Sequence, residues 1–382
     1  MGDRLGAGGG AVTATAAPTA TAGAFSSYAP QECTWLLTDL SSLSLEVGTE
    51  DREELIQGGR HYAEMLPVEY QPDAAYTALF HRALAETARR LAVAVGLVGD
   101  LVLAESRAHG LDPVLVSLAR AGTPIGILLR RWLAQVHDVD APHYAISIVR
   151  GRGIDEVAVR HVLSRHPAES VRFVDGWTGK GAIARELAEA VHAYPGLDPR
   201  LAVLADPGSC TDLFGTRDDF LIPSACLNST VSGLVSRTVL RDDLIGPGMF
   251  HGAKFYAELA PADVSGAFLD AVSAHFPAVA AEVAATGPAH AAADRTPTWA
   301  GWAAVERIAA EHDIDNINLV KPGVGETTRV LLRRVPWQVL VRPDRAADLE
   351  HVRVLAGQRG VPVVERDDLP YTCIGLIRPA GR

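Results

Sequence analysis

Residues 171–183 combine an acid, three glycines, a hydroxyl group and a lysine in a pattern suited to a phosphorylated sugar. A short strand is predicted for Val171–Val174, and it ends at Asp175. Glycine-rich turns free backbone N–H groups for an anion, and the start of a helix adds more donors. Thr178 adds a hydroxyl donor and Lys180 a charge, while Asp175 can accept from ribose hydroxyls. The predicted phosphate- and ribose-binding residues are Gly176, Trp177, Thr178, Gly179, Lys180 and Gly181.

Other phosphate-binding motifs do not fit this turn. The GxxxxGK[ST] spacing of a Walker loop is absent, and so is the GxGxxG fingerprint of a dinucleotide site. The simpler alternative is a strand-to-helix turn in which glycine, threonine and aspartate serve only the local structure.

Two further turns follow predicted strands and carry arginines. Ser117–Pro124 offers charge and backbone donors to a diphosphate, and Ser147–Asp155 places two arginines on a glycine-flexible turn. Arg150 and Arg152 have an alternative interpretation as solvated surface charges. The predicted catalytic residues are Asp175, Arg120, Arg150 and Arg152. The predicted diphosphate contacts are Ser117, Ala121, Gly122 and Thr123.

A dense polar set lies between residues 206 and 238. Turn and capping chemistry explains any single member, but the group follows a strand of the same predicted sheet and is suited to lining a substrate pocket. The residues predicted for that pocket are Asp206, Ser224, Asn228, Ser236 and Arg237.

The cysteines support an alternative chemistry. The four cysteines are scattered with no CxxC pair, which argues against a cysteine-based zinc site and fits a reducing compartment. A thiol hydrolase needs a thiolate activated by a base, and Cys210 and Cys226 are the candidate nucleophiles. The candidate bases are His61, His143 and His251.

The elements that must position these residues alternate between strand and helix. From Glu32 to about Gly110 the pattern is mostly helical. Residues 114–205 then alternate short apolar runs with helical segments, which predicts a parallel sheet with helices on its faces. Ligands bind beyond the carboxyl ends of such strands. Residues 278–299 are rich in Ala, Thr and Pro, which predicts a linker, and a smaller α/β unit is predicted after it.

Four segments together resemble one narrow family. They are His61–Pro67, Ser117–Pro124, Phe173–Gly181 and Pro223–Thr238. The resemblance is to a phosphoribosyltransferase-like family of tellurite-resistance and stress gene clusters, which also carries the label cysteine protease StiP. It implies a type I phosphoribosyltransferase fold, with a helical hood over the site. One departure is Gly176, which stands where the ribose-phosphate loop usually has a second acid.

The C-terminal unit resembles the Pelota-type RNA-binding module. The matching piece is Lys321–Arg329, where that module has a turn that reads RNA. Glutamate can accept from a base edge, and basic side chains suit phosphates. The RNA-binding residues that the resemblance implies are Lys321, Gly323, Gly325, Glu326, Thr327 and Arg329.

These observations predict residues 1–27 as a disordered tail, 28–277 as the phosphoribosyltransferase-like domain with a hood over 28–110, 278–299 as the linker and 300–382 as the Pelota-type domain. The expected enzyme transfers or removes a 5-phosphoribosyl group. The alternatives are a cysteine protease and a non-catalytic, nucleotide-sensing regulator that binds RNA.

The expected ligands are phosphoribosyl diphosphate or a nucleotide, with Mg²⁺ held mainly by the substrate and by Asp175, and RNA at the C-terminal unit. A net charge of -11 argues against an acidic membrane surface. The expected location is the cytoplasm, and a homodimer is one alternative for the oligomeric state.

Overall fold

The computed structural model describes residues 25–48, 55, 59–69 and 71–378. The α-helices in this part of the chain are α1 (Ala74–Ala108), α2 (Thr123–His137), α3 (Glu156–Leu163), α4 (Ala182–Val191), α5 (Ser265–Ser273), α6 (Phe276–Ala292), α7 (Ala300–Glu311), α8 (Val324–Arg333) and α9 (Ala346–Gln358). Short 3-10 turns cover Tyr62–Glu64, Ala168–Ser170, Pro223–Ala225, Ser229–Val231, Ala257–Ala262, Ile317–Leu319 and Pro343–Arg345.

The main sheet is parallel, as the alternation of strand and helix predicts. Its strands are β1 (Thr34–Trp35), β2 (Val114–Ala119), β3 (His143–Val149), β4 (Val171–Trp177), β5 (Leu201–Ala205) and β6 (Phe214–Thr216). They lie in the order β1-β3-β2-β4-β5-β6, and Gly153–Ile154 pairs antiparallel with β3. The strands are apolar runs because helices cover both faces of the sheet.

The helices divide between the two faces. One face packs against α1 and α2, on which α5 and α6 pack in turn, and the other face packs against α3 and α4. Helices α1 and α2 approach closely because Gly96 and Gly99 leave room for the buried Trp132. A Cβ atom on Gly96 would lie 2.7 Å from the Trp132 ring. The Trp132 indole N–H donates to Asp100 Oδ1 at 2.8 Å, which satisfies its polar group.

The N-terminal residues differ from the predicted helical hood. Before α1 the chain forms β1 and two small parallel pairs, Thr38–Asp39 with Gly252–Ala253 and Glu46–Val47 with Leu66–Pro67. Of the predicted tail, residues 1–24 lie outside the described residues. Phe25 is buried, and its ring packs edge-on against Trp35 with ring centroids 6.2 Å apart.

The predicted linker also differs, since most of residues 278–299 belongs to α6. Phe276, Val279 and Val283 are fully buried in the core that this helix shares with α1. Alanine strongly favours helix, so the alanine-rich composition marks a helix here rather than a flexible connection.

The C-terminal unit has a mixed sheet rather than a parallel one. Its strands are β7 (Val320–Pro322), β8 (Pro336–Val341), β9 (Val363–Glu365) and β10 (Cys373–Ile377), in the order β7-β10-β8-β9. Strand β10 pairs antiparallel with β7 and β8, whereas β8 and β9 are parallel.

Among the described residues, no single helix has the length and apolar character needed to cross a membrane. Helices α5 and α6, which are bent relative to each other, have the length and composition of a membrane span only when they are taken together.

Candidate functional site

A cavity of about 280 Å³ opens at the carboxyl ends of the central strands, where the two units meet. Strands β2 and β4 are neighbours, but α2 and α4, which follow them, lie on opposite faces of the sheet. The chain therefore diverges there, as it does at the ligand sites of other open α/β sheets. The lining includes Ala121, Arg150, Asp175, residues 177–184, Asn318, Lys321, Pro322 and Glu326.

The predicted phosphate turn forms one wall of this cavity. Gly181 precedes α4 with a φ of 75°, a conformation that favours glycine. A Cβ atom there would lie 2.3 Å from the Trp299 ring and 2.7 Å from Cys210 Sγ. Behind the turn, the Thr178 hydroxyl donates to the buried Asp206 carboxylate. The sequence prediction therefore located this turn correctly in space, although its ligand stays a prediction.

Asp175 lies at the back of the cavity as a buried carboxyl group. Its Oδ1 accepts the Gly176 backbone N–H at 2.7 Å, and burial raises its pKa to about 7. Among the described residues, no group of three or more His, Cys, Asp or Glu side chains could hold a metal ion. The residues present therefore do not form a Mg²⁺ site by themselves, and Mg²⁺ stays a prediction.

Basic side chains from both units face the cavity. Lys180 Nζ donates to the Ile317 carbonyl of the C-terminal unit at 2.5 Å, and burial lowers the pKa of Lys180 to about 8. Among the described residues, the side chains of Arg150 and Lys321 have neither a hydrogen bond nor an ion pair. Their positive charge is therefore available to an anion.

The other two predicted catalytic arginines are paired with acids. Arg120 Nη1 donates to Glu69 Oε1 at 3.3 Å and to the Val235 carbonyl at 2.8 Å. Arg152 Nη2 lies 3.2 Å from Glu64 Oε1. The structure brings neither arginine into the cavity lining that it describes.

The predicted diphosphate loop is also occupied by internal contacts. The buried Ser117 hydroxyl donates to the Gly122 carbonyl at 3.1 Å and is hydrogen-bonded to His143 Nε2 at 2.8 Å. Thr123 is fully buried at the start of α2. Only Ala121 of the predicted diphosphate contacts lines the cavity.

The predicted substrate pocket is dispersed. Asp206 lies directly behind the phosphate turn, whereas Ser224, Asn228, Ser236 and Arg237 are absent from the described lining. The Ser236 hydroxyl donates to the Arg237 carbonyl at 2.6 Å, and the Arg237 guanidinium lies 5.2 Å from the Tyr62 ring centroid.

The predicted RNA-binding turn faces the first unit. Arg329 Nε donates to the Ala225 carbonyl at 2.7 Å, and Arg329 Nη1 donates to Glu326 Oε1 at 2.9 Å. A Cβ atom on Gly325 would lie 2.9 Å from Ala225. Thr327 is buried, and the Gly323 N–H donates to the Cys373 carbonyl. RNA binding by these residues stays a prediction. In the structure, Gly325 and Arg329 contact Ala225 of the first unit.

The two candidate nucleophiles are both buried, and burial raises the pKa of each thiol to about 12. The Cys210 thiol donates to the Gly179 carbonyl, 3.9 Å away in the cavity wall. Cys226 lies beneath α8, where Arg333 donates to its backbone carbonyl.

The candidate histidine bases have other partners. His143 is hydrogen-bonded to Ser117, His251 Nδ1 to Ser147 at 2.9 Å, and His61 Nε2 to the Arg150 carbonyl at 3.1 Å. Among the described residues, none of these rings is hydrogen-bonded to a cysteine.

Three contacts between the units carry no local sequence signal. The Tyr371 hydroxyl donates to the Gly179 carbonyl at 3.0 Å, and Trp299 covers Gly181. The Asp219 carboxylate accepts the N–H groups of Val324 and Thr372 at 2.9 and 2.8 Å. Sequence reasoning missed all three because each depends on docking of distant segments.

The comparisons with known proteins decide the family. The model described as tellurite-like stress resistance cysteine protease StiP matches residues 26–273. A protein of Acinetobacter baylyi named cysteine protease StiP is 35% identical over 374 residues, which cover 93% of this chain and 94% of the relative. The chain belongs to the StiP family. The model of the PELOTA RNA binding domain matches residues 299–379. No solved structure matches the chain with statistical significance.

Membership of the StiP family corrects the main functional prediction. The expected phosphoribosyl-transferring enzyme, a glycosyltransferase, is wrong, because the family and the relative are both named for a cysteine protease. The type I phosphoribosyltransferase fold is not shown either, although the parallel sheet with helices on both faces is. The thiol alternative is the one that the comparisons favour, and the StiP and Pelota resemblances are confirmed.

Proposed function

We propose that the chain is a thiol hydrolase that cleaves peptide bonds, with Cys210 as its nucleophile. The observation that carries the chemistry is membership of a family named for cysteine protease activity. The choice of Cys210 is supported by its thiol, which contacts the carbonyl of Gly179 in the cavity wall. We also propose that the protein works in the cytoplasm. All four cysteines are free, and a reducing compartment keeps thiols reduced.

The other thiols are enclosed in the protein core. Cys226 is fully buried beneath Arg329 and Arg333. Cys373 lies within β10, and Cys33 is buried next to β1. Buried cysteines of this kind behave as small apolar residues.

A proton path leads away from the Cys210 thiol. The Thr178 side chain acts to lower the pKa of the nearby Cys210 thiol, and the Thr178 hydroxyl donates to the Asp206 carboxylate. Burial raises the pKa of Asp206, which makes its carboxylate a stronger base. We assign Asp206 as the base that receives the thiol proton through Thr178.

The bond changes follow the general pattern of covalent catalysis. The thiol proton passes to the Thr178 oxygen while the Thr178 hydroxyl proton passes to Asp206. The thiolate attacks the peptide carbonyl carbon, the C–N bond breaks, and the amine leaves with the proton from Asp206. Water then hydrolyses the thioester.

The structure holds this thiol in a closed arrangement. Cys210 does not itself line the described cavity, because the turn of Gly179 to Gly181 lies between them. Trp299 covers that turn, and Tyr371 is hydrogen-bonded to it. Attack on a substrate therefore requires the turn to move away from these two side chains.

Paired substitutions test the nucleophile. Cys210→Ala should reduce hydrolysis of a fluorescent casein by on the order of 10³-fold, because the covalent step is lost. Cys226→Ala is the matched control, since it removes another buried thiol, and it should keep activity within about twofold. Full activity in Cys210→Ala would contradict the proposal.

The relay has its own test. Thr178→Val keeps the side-chain volume but removes the hydroxyl, so kcat should fall on the order of 10²-fold with little change in KM. Thr178→Ser should restore most of kcat. If Thr178→Val retains wild-type kcat, the proton does not travel through this hydroxyl.

A further inference from the structure

The lysines of this chain have an unusual distribution. The whole sequence contains three, Lys180, Lys254 and Lys321. Lys254 is neutralised by Glu46, with Nζ 2.7 Å from Oε1. The other two, Lys180 and Lys321, are 141 residues apart in sequence but line the same cavity, one from each unit.

The cavity lining carries excess positive charge. Lys180, Lys321 and Arg150 face it, and two acids oppose them. Glu326 is already paired with Arg329, and Asp175 has its pKa raised to about 7 by burial. Holding unpaired cations in a partly buried site costs free energy, which a bound anion offsets.

Backbone donors reinforce this charge. The turn through Gly179 leads into the first turn of α4, and the lining runs from residue 177 to residue 184. The first N–H groups of a helix have no partner inside the helix and favour a phosphate group. Gly179 has open space where a side chain would stand, so its backbone can be approached closely.

The C-terminal wall limits the ligand to a small molecule. Its turn is held against the first unit by Val324, whose N–H donates to Asp219, and by Arg329, which donates to the Ala225 carbonyl. An RNA strand cannot lie on this turn while these contacts persist. A volume of about 280 Å³ is close to the lower end for small-ligand pockets, and Trp177 adds an aromatic surface.

We propose that the cavity between the two units binds a small phosphate-bearing molecule, held by Lys180 and Arg150 from one side and by Lys321 from the other. The site is distinct from the Cys210 thiol, which lies behind the turn. Binding therefore does not depend on the proposed hydrolase activity, and the Cys210→Ala variant should bind the same ligand unchanged.

Lysine labelling provides the first test. Pyridoxal 5′-phosphate carries both a phosphate group and an aldehyde, which condenses with a neutral amine and releases water. Borohydride then reduces the imine to a stable secondary amine that peptide mass spectrometry can locate. We expect label on Lys180 and Lys321 and at least about tenfold less on Lys254, which serves as the internal control within the same chain.

Competition identifies the group that is recognised. Inorganic phosphate and adenosine 5′-monophosphate should protect the two cavity lysines, whereas adenosine should not. Equal labelling of Lys254, equal protection by adenosine, or no protection by either phosphate compound would each overturn the proposal.

Calorimetry with adenosine 5′-monophosphate tests the two-sided geometry. Arg150→Ala and Lys321→Ala should each weaken binding by about tenfold or more, while Lys321→Arg keeps the charge and most of the affinity. Lys321→Met keeps the apolar stem, so it separates lost charge from lost packing. Arg353→Ala removes an exposed arginine paired with Glu365 and is the matched control.

A single-stranded RNA oligonucleotide forms the last arm of the test. If RNA binds in a Lys321-dependent manner and adenosine 5′-monophosphate does not, the turn serves RNA and the small-ligand site is refuted. Competition between the two, with the mononucleotide binding to the intact chain, would support the cavity as the site.

Discussion

The two walls of the cavity hold their basic side chains in different ways. On the first wall, Lys180 is tied to the Ile317 carbonyl of the opposite unit, and the Cys210 thiol lies directly behind the turn. On the second wall, Lys321 has no such tie among the described residues, and its turn is anchored through Asp219. The first wall thus carries the candidate chemistry, and the second wall closes over it.

This difference bears on the Cys210 thiol, because the second wall helps to enclose it. Burial, and then the nearby Asp206 charge, raise the pKa of Cys210, and the C-terminal unit contributes to that burial through Trp299 and Tyr371. Docking of the second unit therefore sets the chemical state of a residue in the first. The predictions below test this dependence, beginning with the largest effect.

Removing the anchor between the walls should have the largest effect. Asp219→Ala leaves the buried N–H groups of Val324 and Thr372 without their acceptor, which costs about 2–5 kcal/mol of unfolding free energy. Urea denaturation should show this as a lower midpoint. The neighbouring Asp218→Ala is the control, because its ion pairs with Arg90 and Arg345 are half exposed and contribute about 0–1 kcal/mol.

Adding a methyl group where Gly181 of the first wall packs against Trp299 should have the next largest effect. Gly181→Ala places a methyl group 2.3 Å from the Trp299 ring in a left-handed conformation, so we expect a loss of about 2–4 kcal/mol. Gly179→Ala meets open space and should cost less than about 1 kcal/mol. If thermal unfolding shows the same loss of stability for Gly181→Ala and Gly179→Ala, then Gly181 is not packed tightly against Trp299.

The reactivity of Cys210 should report the position of the second wall. With a pKa of about 12, the thiol should react with iodoacetamide at pH 8 slower than a free cysteine by about three orders of magnitude. Asp219→Ala should accelerate alkylation of Cys210 about tenfold or more, because it loosens the cover. Peptide mass spectrometry over time assigns the alkylation to Cys210 or to Cys226, which lies beneath α8 of the same second wall.

The smallest predicted effect is a pH dependence at Lys180. Its pKa is lowered to about 8, so the neutral amine that pyridoxal 5′-phosphate requires becomes dominant as pH rises through that value. Labelling of Lys180 should increase several-fold between pH 7 and pH 9, while affinity for inorganic phosphate falls as the positive charge is lost. Labelling that keeps rising about tenfold per pH unit beyond pH 9, as it does for a lysine with an ordinary pKa, would mean that Lys180 is not buried against the second wall.

Sequence patterns located the first wall but not its surroundings. The strand–turn–helix of Val171–Val191 was predictable because hydrophobic runs, glycines and helical periodicity are local signals. Arg120 and Arg152 were assigned to the site on the same grounds, yet they pair with Glu69 and Glu64. Whether an arginine faces a ligand or an acid depends on residues far away in the chain, and no local pattern records it.

The sequence by itself determined the parallel sheet, the position of its glycine-rich turns and the family of the chain, because these depend on local periodicity and on residue identity. Only the tertiary structure decided the rest. Docking of the C-terminal unit encloses Cys210, turns the Lys321–Arg329 segment inward and places Lys321 across the cavity from Lys180. Enclosure by a second unit excludes water and brings the charges of Lys321 and Glu326 close to Lys180, so the reactivity of these groups is a property of the assembled fold.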